Sequence, residues 1–187
     1  MPDHGHHLGP LARKALDIRS RVFRHPAQVS FNASLWPGWW AKETALRAVA
    51  YLRDAGVHDD AVEAALLLVG CAHSDPETDD EITVLGGEVA MAVKVLQGRP
   101  SDYPRSYWRE LSEAVPEHQL ARAALQLALL DDAQDWPDTG NRRRKVFGDA
   151  LHRVLPMLSQ MHSPAARALA RQLVVRLRIM RPAAPVE

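Results

Sequence analysis

The chain has 187 residues, 47% of them apolar and 25% charged, which suits one globular domain with a sizeable core. Zero formal net charge and a pI near 7.1 argue against a global field that gathers nucleic acid or an anionic membrane. The single Cys71 excludes an intrachain disulfide and a cysteine zinc cage, and no apolar run nears the roughly 18 residues of a membrane span.

Residues 1–8 are polar and hold His4, His6 and His7; they read as a disordered tail with no apolar secretory region, so a cytoplasmic protein is expected. Residues 10–24 read as an amphipathic helix with Leu11, Ala15, Ile18 and Val22 on one face, ended by Pro26. Residues 26–38 form a loop holding Phe31, Trp36, Pro37 and Gly38. A second helix runs from about Trp39 to Ala55 and stops at Gly56. Asp59 or Asp60 caps a third, running to about Ala72 and apolar almost all round from Ala64 to Val69.

Ser74-Asp75-Pro76 breaks that helix, and two shorter ones follow over 78–84 and 86–97. Residues 99–116 are irregular, with a turn or two of helix around Ser106–Ala114. Residues 117–135 form another helix apolar on most sides, and helix 141–160 carries core positions from Val146 to Leu158. Ser163-Pro164 caps a last helix reaching about Met180, with Leu169, Leu173, Leu177 and Met180 as its stripe. Strand signals are nearly absent. A helix apolar on every side is buried on every side. Two such helices among amphipathic ones describe an all-α, irregular globule of about seven to nine helices, with one domain over 9–181 and a tail over 182–187.

Residues 64–93 read AALLLVGCAHSDPETDDEITVLGGEVAMAV. This frame resembles the HD-domain core of the Rel/SpoT-type (p)ppGpp hydrolases, which carry AALLHD, then a Glu-Asp pair, then a Gly and spaced valines. The resemblance implies an HD-like fold over roughly 41–175. Where the family has its His-Asp pair, this chain has Leu68 and Val69; where it has its Glu-Asp pair, this chain has Ala72 and His73. The family's HP..VA pattern maps onto 45–50, which hold no His, or onto His25-Pro26-Ala27-Gln28-Val29 with extra chain between. The late Asp maps onto Asp131, or falls on Leu129 and is lost.

In an active relative these residues hold a Mn-type ion that polarises phosphate and generates hydroxide. Leucine, valine and alanine offer no lone pair, so the resemblance implies a degenerate site: no catalytic residues, no metal ligands and no cofactor. The vestigial pocket would be lined by His73, Asp131, Arg142 and Arg143. The alternative is an active phosphohydrolase with a remodelled Mn site using His25, His73, Asp75 and Asp131.

Several clusters carry both a chemical and a plainer reading. His73-Ser74-Asp75 sits where a metal ligand would, and equally marks a surface helix end. Asp131-Asp132 with Asp135 offers carboxylates at one-turn spacing, or a solvated helix end. Trp36, Trp39 and Trp40 read as a ligand-stacking platform, or as loop packing, a protein interface or filling for the vacated cavity. Arg142–Lys145 reads as a phosphate or nucleic-acid site, which would make the chain a nucleic-acid- or partner-binding helical domain with strongly salt-dependent affinity, or as a solvated face. Arg167, Arg171, Arg176, Arg178 and Arg181 read as spread around the last helix. Cys71, inside an apolar run, reads as buried and inert. The expected function is a non-catalytic HD-like module that binds a nucleotide or a protein partner, as a homodimer, with no membrane contact and no nucleic acid.

Overall fold

Pro10 opens α1 (Pro10–Val22), where its fixed φ suits the first turn and its missing N–H costs nothing. The computed structural model describes residues 8–23, 42–72, 76–97, 105–134 and 141–180, apart from the side chains of Lys42, Arg105, Asn141 and Arg142. Within these residues α2 (Lys42–Asp54), α3 (Asp60–Leu68), α4 (Pro76–Val84), α5 (Gly87–Gln97), α6 (Arg105–Glu113) and α7 (Pro116–Gln134) follow. α8 is one continuous rod of three pieces: Asn141–Asp149, a π turn over Ala150–Val154, and Leu155–Gln160. α9 (Pro164–Ile179) starts at Ser163, whose Oγ accepts from the Ala166 N–H at 3.1 Å. No strand occurs among the described residues, so the fold is all-α.

α3 and α7 form the centre. Val62 through Val69 are buried without a break, and so are Leu120 through Leu130. α3 packs against α1, α2, α5 and α7; α7 packs against α2, α3, α5, α6, α8 and α9. Each leucine enclosed this way contributes about 1.5–3 kcal/mol. α8 and α9 lie beside one another on α7 and form the outer layer at that end.

Two adjacent aspartates start two helices. Asp59 Oδ1 accepts from the N–H groups of Ala61 (2.9 Å) and Val62 (3.1 Å), capping its own helix α3. Asp60 turns outward from α3 and accepts from Leu11 N–H (2.9 Å) and Ala12 N–H (3.0 Å), capping α1 instead. Gly9 makes room for it, since a Cβ there would lie 2.2 Å from Asp60 Oδ1.

Three sequence expectations need correction. The third helix ends at Leu68, not near Ala72, because Val69 turns extended (ψ 127°) and Gly70 takes φ +85°. Leu8, read as the end of the N-terminal tail, is buried against the core. The arginines of α9 are not spread around it, as described below.

Candidate functional site

The place where the resemblance puts a His-Asp pair is the C-terminal end of α3. Leu68 and Val69 are 0% and 1% exposed there, and Ala72 is buried beside them. A helix end leaves carbonyls without intrahelical partners, and here they need satisfaction away from water. Arg19, from α1, supplies it: one guanidinium nitrogen donates to Leu67 O and Val69 O, both at 2.8 Å. The same nitrogen lies 3.8 Å from Cys71 Sγ, and the guanidinium stacks 4.7 Å from the centre of the Phe23 ring. A fixed positive charge at this helix end also opposes the negative end of the dipole.

The turn is clamped from the other side by Gln97, at the end of α5. Its Oε1 accepts from Gly70 N–H at 3.2 Å, and its Nε2 donates to Ala72 O at 3.0 Å. Cys71 N–H donates to Leu68 O at 2.8 Å, closing the turn. Burial pushes the Cys71 thiol up to about 11, although nearby Arg19 pulls the other way. The same burial lowers Arg19 from its usual range, with Cys71 and Glu43 opposing. Cys71 is therefore a neutral, enclosed thiol, as its apolar surroundings in the sequence imply.

Of the four residues read as a vestigial pocket, His73 and the Arg142 side chain lie outside the described residues, as do His25, Asp75, Asp135, Trp36, Trp39, Trp40, Arg181 and the His4–His7 tail. Arg143 is half-buried on α8. Asp131, in the last turn of α7 with its side chain 21% exposed, is engaged by residues of two other helices. It accepts from Arg176 Nε at 2.9 Å and from the Tyr51 hydroxyl, while Arg176 also donates to the Tyr51 oxygen at 2.7 Å. This triad joins α7, α9 and α2. Burial and the Asp131 carboxylate raise the Tyr51 hydroxyl above its ordinary range. Its neighbour Asp132 accepts from Arg47 at 2.7 Å and from the Thr44 hydroxyl, both on α2.

A second buried arginine was not singled out from the sequence. Arg122, in the middle of α7, is 0% exposed. It donates to the Tyr107 hydroxyl at 3.0 Å and to Gln126 Oε1 at 2.7 Å, and Gln126 donates to Val146 O at 2.7 Å. The guanidinium lies 5.2 Å from the Trp108 ring centre. The Asp149 carboxyl, just before the π turn, is raised by burial against the pull of Arg122, Lys145 and Arg153. The sequence signal for both arginines is positional: Arg19 falls on the stripe Ala12–Ala15–Arg19–Val22, and Arg122 interrupts an apolar run. A charge on a buried face means a built interaction.

The described residues line at least two surface clefts. One of about 790 Å³ lies between α1 and α4, with Asp17, Glu77, Asp80 and Glu81 outnumbering Lys14 and Arg21 on its walls. One of about 400 Å³ lies between α3, α5 and the α6–α7 turn and includes Met91, Val115 and His118. Among the described residues no three His, Cys, Asp or Glu side chains are grouped to hold a metal ion, and no helix is long and apolar enough to cross a membrane. Comparison of the chain with protein-family models, with curated proteins and with solved structures gives no match.

Proposed function

We propose that this chain is a non-catalytic HD-like module that works by binding a macromolecular partner. One observation carries the reading. At the helix end where an HD hydrolase would present its ligands, Leu68 and Val69 are packed shut and the Arg19 guanidinium holds the carbonyls of Leu67 and Val69. Arginine keeps its charge under all ordinary conditions, so a divalent ion there would meet a fixed cation beside carbonyls that already accept from it. A nucleotide is the weaker ligand class, because the larger of the two clefts carries four carboxylates against two cations, a balance that repels phosphate.

The test has two arms on the full-length, untagged protein. Incubation with Mn²⁺ and guanosine tetraphosphate should release no pyrophosphate above a protein-free control. Thermal-shift scans with guanosine and adenosine nucleotides should leave the unfolding temperature unchanged, although a ligand at about 100 times its dissociation constant adds about 2.7 kcal/mol. Mn²⁺-dependent hydrolysis that disappears in Asp131→Ala, with the variant still folded, would overturn the proposal in favour of a remodelled hydrolase.

A further inference from the structure

The neutral net charge conceals a partition. Residues 141–180 hold nine of the 23 basic residues and one of the 23 acidic ones, Asp149. This stretch therefore carries +8, and the rest of the chain −8. It is also one structural unit, the α8–α9 layer lying on α7. Within α9, Arg167, Arg171 and Arg178 are exposed at spacings of four and seven residues, which places them on one helix face. The opposite face, Ala166, Leu169, Leu173 and Leu177, is buried. Arg176 alone turns inward, to Asp131. On α8, Arg144, Lys145 and Arg153 are exposed. Both helices bury their inner sides against α7, so these cations lie on the solvent side of the layer.

We propose that the outer face of α8 and α9 binds the phosphate backbone of duplex nucleic acid, independently of base sequence. This stands on the charge map and not on the HD-like resemblance, and it departs from the expectation drawn from net charge. Three observations choose the partner. Cations dominate a surface about 30 Å long, the length of a 20-residue helix, and backbone contacts by Lys and Arg supply most non-specific affinity. Phe147 is the only Phe, Trp or Tyr in 141–180 and is half-buried, so the layer has no platform for stacking unpaired bases. The densest group of balancing carboxylates, Asp17, Glu77, Asp80 and Glu81, lines the cleft between α1 and α4 with Lys14 and Arg21 among them, and Arg21 already engages Glu81, so a second copy offers a short mixed-charge cleft against a cationic layer about 30 Å long.

The experiment is fluorescence anisotropy of the full-length protein with a labelled DNA duplex of about 25 base pairs, long enough to cover the layer. If about four phosphates are neutralised, affinity should fall about a hundredfold from 50 to 200 mM KCl. R167E/R171E/R178E should lose at least about tenfold in affinity and flatten the salt slope, and R144E/K145E should act in the same direction. Circular dichroism checks that each is folded, and the milder R167Q/R171Q/R178Q replaces a reversal that is not. The exposed Val175 and Ile179 are discriminators: V175S/I179S should leave duplex affinity unchanged. No binding at 50 mM KCl, salt-independent binding, tighter binding of the matching single strand, or affinity untouched by the reversals would each overturn the proposal. So would binding confined to phosphatidylserine vesicles and lost in V175S/I179S, or salt-labile self-association without duplex binding.

Discussion

Arg19 shows how one buried side chain can finish a helix end that belongs to another element. Its cationic fork is held by two carbonyls and an aromatic face, so its desolvation is matched by charge-assisted hydrogen bonds. Arg19→Ala leaves both carbonyls buried and opens a void; the expected cost is about 3–5 kcal/mol in urea unfolding. Arg19→Lys should recover only part, since an ammonium does not reproduce the planar fork stacked on Phe23. Cys71 gives a pH test beside it. Its thiol ionises near 9.0 when unconstrained and at about 11 in the fold. The folded state holds the proton more tightly, so this contribution is whole below pH 9 and fades as pH climbs to about 11. Between pH 8 and 10.5 the wild type should lose roughly 2 kcal/mol more than Cys71→Ala, read from urea midpoints.

At the level of elements, Asp60 matters because it belongs to one helix and serves another. Asp60→Ala removes an acceptor from two N–H groups at the start of α1 and should cost about 1–2 kcal/mol. Gly9→Ala drives a methyl group into the same carboxylate and should cost a similar amount. Because both act on one contact, the double variant should cost about 1 kcal/mol less than the sum, a coupling that a thermal-unfolding cycle measures. The element map itself was largely legible in the sequence. Pro and Gly mark the starts and stops, and the apolar run at 64–69 and the largely apolar stretch at 120–130 name the two central helices. What escaped was the tertiary use of polar residues. Periodicity offers Asp59 or Asp60 as a cap for α3 but does not say that the pair divides between α3 and α1. Nor does it show that Asp131 closes a triad with Tyr51 and Arg176, residues 80 and 45 positions away.

For the whole molecule the lesson concerns averages. A sum of zero combines an outer layer at +8 with a remainder at −8. Repulsion inside the layer is screened by salt, so the free protein should gain thermal stability between low ionic strength and about 0.3 M NaCl. R167Q/R171Q/R178Q should show a smaller gain in the same scans. That Leu68, Val69 and Ala72 bring only apolar side chains to the turn was equally readable. Its filling was not, because Arg19 lies about 50 residues from the turn it completes. That separation has a consequence for how the molecule opens. The turn at 69–72 is finished only when the N-terminal helix docks, so α1 and that turn form a single cooperative unit. In native-state hydrogen exchange the amides of α1 and of Cys71 should share one opening free energy and one denaturant dependence, and Arg19→Ala should lower both together.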